Sequence, residues 1–224
     1  MKTQIKPGFF GKTVAADTCR RGFDLLNSQV LYCGRRPDVL FVGDSVTQWW
    51  DLSLYFGDLG YLVNRGIGGD TTEIILKRSD ADVFQLSPKR IVYMAGINDL
   101  LTVCPDYWYR EAGADREAVK SSILANIEAF VKKCEGIELY LCSVTPMDLC
   151  LPFCLAQPEE LAVEVNAQLR ALAQRYGAVY VDYHSALKNE TDNKLRAGLS
   201  TDGVHPEGEA YTIMADVLRR SLRM

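Results

Sequence analysis

The chain has 224 residues, 48% hydrophobic and 24% charged, with a formal net charge of -4. That balance suits one sizeable α/β domain, two small ones being the weaker alternative, and without a basic block neither nucleic acid nor anionic membrane is an expected partner. No apolar run reaches the roughly 18 residues of a membrane span, and the first 17 residues lack the apolar core and cleavage site of a secretory leader, so a cytoplasmic protein is expected unless a leader precedes it.

Along the chain, helical and strand patterns alternate. Residues 16–32 read as a helix, and "DVLFVG" (38–43) and the shorter "YLVNRG" (61–66) as buried strands. A helix follows over 70–84, then the strand "RIVYMAG" (90–96). Residues 115–134 carry a one-sided apolar stripe of Val119, Ile123, Ile127, Phe130 and Val131. The strand "IELYLCSV" (137–144) leads to a helix over 158–177, which opens on Pro158 and two acids and closes on Gly177. A last strand, "AVYVDY" (178–183), precedes a final helix over 206–223 that again opens on proline. Continuous apolar strands alternating with helices imply a parallel sheet covered on both faces. The expected architecture is a three-layer α/β/α sandwich with a mostly parallel five-stranded sheet. It forms one domain over 1–224, with residues 1–34 a helical extension packed on it.

Seven cysteines are irregularly spaced. The closest pair, Cys150 and Cys154, reads as two thiols and not as half of a metal site, because zinc usually takes four ligands and no second pair stands near. Disulfides are not expected without a secretory signal.

Four unusual stretches fall at strand ends, where ligands bind in open parallel sheets. They are "GDS" (43–45), "GIGGD" (66–70), "GIND" (96–99) and "DGVH" (202–205). Each alone has an ordinary explanation. Ser45 can cap a helix, touch a phosphate or act as a nucleophile; Asp70 can cap the helix after it; Asn98, Asp99 and Asp202 can brace turns. "RGIGGDTT" fits a dinucleotide loop only in part, its third glycine position being Thr71, and no Walker loop is present. The G-x-S-x-G elbow of α/β-hydrolases is also broken, since Thr47 occupies the last position.

Together and in this order, the four stretches resemble the blocks of the SGNH (GDSL-type) hydrolase family, with Val46 where leucine is usual. The resemblance spans about residues 38–220, and its glycine block is closest in style to the branch of platelet-activating-factor acetylhydrolase subunits and short-chain esterases. It implies a flavodoxin-like SGNH fold and a serine esterase needing no metal or cofactor. Ser45 would be the nucleophile, His205 the base and then the acid, and Asp202 the group orienting His205. The oxyanion hole would be the N–H groups of Ser45 and Gly69 with the Asn98 amide.

That assignment is chemically coherent. A serine hydroxyl needs an adjacent base, and His205 is one of two histidines. The other, His184, is read as structural. Asp202 lies three residues before His205, near enough to reach Nδ1 and fix its tautomer. Asp44 and Asp99 are read as loop braces, and Asp44 also as a pocket wall with Tyr107 and Trp108. The loops 101–115 and 145–160 would shape an acyl pocket or lid, or else a homodimer contact. At least one of Trp49 and Trp50 should pack in the core. The expected substrate is a small-molecule ester, acetyl esters first, including acetylated sugars. A lysophospholipase or thioesterase of the same family, or a silent ligand-binding protein on the same fold, are the alternatives.

Overall fold

The computed structural model describes residues 4–11, 14–105, 113–149 and 157–222. Strands β1 (Val39–Gly43), β2 (Leu62–Gly66), β3 (Arg90–Met94), β4 (Glu138–Cys142) and β5 (Val179–Val181) form one sheet in the order β2-β1-β3-β4-β5. All neighbouring strands run parallel. Each lies inside an apolar run read from the sequence. The runs at β3, β4 and β5 extend two residues past the carboxyl ends of their strands, where the chain leaves the sheet, as at Gly96, whose φ is 124°.

The helices in chain order are α1 (Ala15–Cys33), α2 (Ser45–Gln48), α3 (Leu52–Phe56), α4 (Thr72–Asp82), α5 (Ile97–Leu100), α6 (Arg116–Lys133), α7 (Pro158–Tyr176), α8 (Tyr183–Leu187) and α9 (Gly208–Ser221). The stripe expected on α6 is its buried set: Val119, Ile123, Ile127, Phe130 and Val131. Proline opens α7, and Gly177 ends it in the left-handed region with φ 69°.

Every residue of β1 is buried, because helices cover both faces of the sheet. Leu40 and Val42 enter a core shared with Val30 of α1, Ile75 of α4, Ile127 of α6 and Leu169 of α7. Val39 and Phe41 enter the opposite core with Phe56 of α3, Leu187 of α8 and Met214 of α9. The observed architecture is therefore helix layer, five-stranded parallel sheet, helix layer. Among the described residues, no helix is long and apolar enough to cross a membrane.

The helix α1 is held differently from the rest. Leu25 and Tyr32 on it are exposed. Its attachment is largely polar: Arg20 donates from Nε and Nη2 to the buried Asp82 carboxylate at 2.8 and 2.7 Å. Asn27 donates to Ala81 O at 3.0 Å and accepts from Arg65 Nη2 at 2.7 Å. Removing one partner of a buried ion pair strands the other's charge, though Arg78 still holds Asp82. Arg20→Met should therefore lower unfolding stability by about 2 kcal/mol. Hydrogen exchange should show residues 15–33 losing protection first; uniform loss across the fold, or none, would contradict this anchoring.

Candidate active site

The register of the sheet assembles the site. Gly43 pairs across β1 with Gly66 of β2 on one side and Met94 of β3 on the other. The segments after these strands therefore leave one edge side by side. Gly43 is required sterically, since a Cβ there would strike Met94 O and the Thr47 side chain.

Ser45 is the first residue of α2, and the cap of that helix is Asp44, whose Oδ1 accepts the Val46 N–H at 3.0 Å. The capping reading of Ser45 thus passes to its neighbour, and the serine hydroxyl is left for another partner. It lies 2.9 Å from His205 Nε2. His205 Nδ1 lies 2.5 Å from Asp202 Oδ2. The other carboxylate oxygen, Asp202 Oδ1, accepts the backbone N–H groups of Val204 and His205 at 2.9 and 2.8 Å. Burial pushes the Asp202 carboxyl up, but the His205 ring and these N–H groups outweigh it and hold it well below the usual range. A carboxylate only accepts, so Nδ1 carries the proton and Nε2 is left to accept from the Ser45 hydroxyl.

Across from this relay sits the turn between β2 and α4. Gly69 holds φ 82°, a conformation that side chains disfavour. Its N–H is among the groups with no acceptor in the described residues, and the Ser45 N–H stands in a first helical turn, where no intrahelical partner exists. Asn98, buried on α5, spends one amide hydrogen on Asp70 O at 2.9 Å. Its second hydrogen remains available. Gln48 Oε1 accepts the Gly68 N–H at 2.5 Å and fixes the same turn from α2.

A residue that the sequence reading missed holds these pieces together. Arg78 of α4 is fully buried. Its Nε donates to Asp70 Oδ2 at 2.6 Å and its Nη1 to Asp82 Oδ2 at 3.2 Å. Its Nη2 donates to Gly43 O at 3.1 Å and Arg65 O at 2.9 Å, the carbonyls at the ends of β1 and β2. Asp70 was expected to cap α4, but this pairing claims its carboxylate. Asp99 does the capping instead: its Oδ2 accepts the Thr72 N–H at 2.9 Å and its Oδ1 the Thr72 hydroxyl at 2.7 Å. The only local hint of Arg78 was its i,i+4 spacing to Asp82.

The remaining expected residues sort as follows. Trp50 is in the core at 2% exposure, while Trp49 is not. His184 is buried, its backbone N–H bonded to Ser143 Oγ, and burial pushes its imidazole below the ordinary value. Tyr107, Trp108, Cys150 and Cys154 lie outside the described residues. Among the described residues, no group of three or more His, Cys, Asp or Glu side chains could hold a metal ion. One expectation fails: Cys104, buried beyond α5, is disulfide-bonded. Irregular spacing gave no sign of that pairing.

The buried carboxyls predict a pH effect. Burial pushes Asp44 up to about 7 and Asp99 up to about 6, Asp44 eased down by the Val46 N–H and Asp99 by the Thr72 hydroxyl and N–H. For both, the folded state holds the proton more tightly than the unfolded chain does. Their contribution to stability is then complete below pH ~4 and is lost as pH rises through 6 and 7. Asp44→Asn keeps an acceptor for Val46 but cannot ionise. In urea titrations, its stability relative to the parent should rise from pH 5 to pH 8; a pH-independent difference would contradict the assignment.

The chain is similar to known proteins. The family model described as GDSL-like Lipase/Acylhydrolase family matches residues 41–213, well over half of the chain. Platelet-activating factor acetylhydrolase IB subunit alpha2 from human and from rat is 42% identical over 82 residues. That match covers 33% of this chain and 34% of the relative, so the chain aligns with about a third of the curated relatives' length. A GDSL-like lipase from Bacteroides thetaiotaomicron superposes with a TM-score of 0.73 at 24% identity, covering 91% of this chain and 96% of that one. An acetylxylan esterase from Geobacillus stearothermophilus superposes with a TM-score of 0.62 at 19% identity, covering 82% and 93%. At these identities the two structures speak to the fold. The family match supplies the rest: the chain belongs to the GDSL-like lipase/acylhydrolase family.

Proposed function

We propose that the chain is a serine esterase that hydrolyses short-chain carboxylic esters, acetyl esters first, through an acyl-enzyme on Ser45. The observation that carries this is the unbroken relay from Ser45 Oγ through both nitrogens of His205 to Asp202, at 2.9 and 2.5 Å. His205 Nε2 takes the hydroxyl proton as Ser45 Oγ bonds to the ester carbon. The negative charge that develops on the carbonyl oxygen falls to the N–H groups of Ser45 and Gly69 and the free Asn98 amide hydrogen. The ester C–O bond then breaks, and the imidazolium returns the proton to the leaving alcohol. Water attacks the acyl carbon, giving its proton to His205, and Ser45 leaves with that proton. Asp202 stays ionised and stabilises the imidazolium in both halves.

Family membership supports a hydrolase acting on acyl groups. The acetyl preference is supported by the relatives named as acetylhydrolases and by the fold shared with an acetylxylan esterase.

Hydrolysis of p-nitrophenyl acetate, butyrate and octanoate tests the reading. The acetate should be the best substrate, and Ser45→Ala should abolish turnover and labelling by a fluorophosphonate. Asn98→Ala should lower kcat by roughly 10²–10³ with KM little changed, as for loss of one oxyanion donor. Turnover surviving Ser45→Ala would refute the acyl-enzyme route.

A further inference from the structure

Two adjacent tryptophans meet opposite fates. Trp50 packs against Phe41, Phe56 and Tyr211, with ring centroids 6.0, 5.2 and 5.4 Å away. Trp49 is 58% exposed. Core packing therefore does not account for it, and what sets it apart from other exposed apolar side chains is its contact with the His205 ring.

Its position is fixed by the helix. Trp49 closes α2 and donates its N–H to Ser45 O at 3.0 Å, so it stands one turn beyond the serine. Its ring centroid lies 4.3 Å from that of His205, tilted by 45°. In the reaction proposed above, the leaving alcohol takes its proton from His205 Nε2. Its oxygen must then come within about 2.6–3.2 Å of that nitrogen. An alcohol body that passes over the imidazole towards α2 would meet the indole, whose ring adjoins that of His205.

We propose that Trp49 is the leaving-group subsite, an aromatic platform on which a ring-shaped alcohol, a pyranose presenting a C–H face, stacks while His205 protonates it. The indole offers a flat, electron-rich face that matches a ring and is poorly used by a short linear alcohol. The neighbouring Gln48 is exposed, and its Oε1 is held by the Gly68 N–H. Its side-chain NH₂ has no acceptor among the described residues and can donate to a ring hydroxyl or ester oxygen. The inference rests on the esterase reading and gives it an alcohol class.

The test is a ratio. kcat/KM is measured for tetra-O-acetyl-xylopyranose and for ethyl acetate in the parent, Trp49→Ala and Trp49→Phe. The pyranose-to-ethyl ratio should fall about tenfold in Trp49→Ala, the scale of one aromatic contact, and recover most of the way in Trp49→Phe. A ratio unchanged in Trp49→Ala, however far both rates fall, would mean that Trp49 serves only His205 and would overturn the proposal while leaving the esterase intact. A parent that hydrolyses neither ester and resists fluorophosphonate labelling would overturn both.

Discussion

A guanidinium sealed inside a fold must find acceptors for its donors, because an unpaired buried charge costs several kcal/mol. Arg78 finds its acceptors in the pieces that make the site: the carbonyls that end β1 and β2, and the carboxylate of Asp70 just beyond Gly69. The planar fork of arginine serves several acceptors at fixed angles, which an ammonium cannot do. The strand ends before Ser45 and before Gly69 are thus tied to one rigid group. Asn98 joins the same frame by donating to Asp70 O, and Asp99 by capping α4. Packing alone would bring these segments near one another; this charge sets their spacing.

The two halves of the site differ in character. On the side proposed to hold the oxyanion, Asp44, Asp70 and Asp99 are sealed from solvent. Only Asp70 of the three pairs with the buried Arg78; Asp44 and Asp99 accept from the Val46 N–H and from Thr72, so each carboxyl is fixed by its own donors. The side of His205 and Asp202 is more exposed. His205 and Asp202 sit on the loop before α9, braced by N–H groups of their own turn and by Ser200 Oγ at 3.0 Å from Asp202 Oδ1. Tyr211 of α9 donates to Val46 O at 2.9 Å and so keeps that loop in register with α2.

Much of this was legible in the sequence. The strands showed as continuous apolar runs because both faces of the sheet are covered. The α6 stripe and the proline and glycine ends of α7 are local signals, and they sat where expected. Ser45, His205, Asp202, Gly69 and Asn98 were named from four short blocks, and the structure brings them to one sheet edge. What stayed hidden was long-range and polar. Nothing around Arg78 says that its partners include Gly43, 35 positions away. Asp70 looked like a helix cap because capping is local, and its true partner Arg78 lies two turns along α4. Asp99 caps that helix from another loop, which spacing cannot reveal. The disulfide at Cys104 and the split fates of Trp49 and Trp50 likewise depend on which segments meet in space.

The Arg78 frame is proposed to present Ser45 N–H, Gly69 N–H and the Asn98 amide to one developing oxyanion. A crystal structure of the protein phosphonylated on Ser45 by a methyl fluorophosphonate addresses it directly. One phosphonyl oxygen is expected within about 2.7–3.1 Å of all three donors, with the Arg78 bonds to Gly43 O, Arg65 O and Asp70 intact. A phosphonyl oxygen turned away from Gly69 and Asn98, or a turn at Gly68–Gly69 that has left Asp70 and Arg78 to receive it, would rule out this frame as the oxyanion hole.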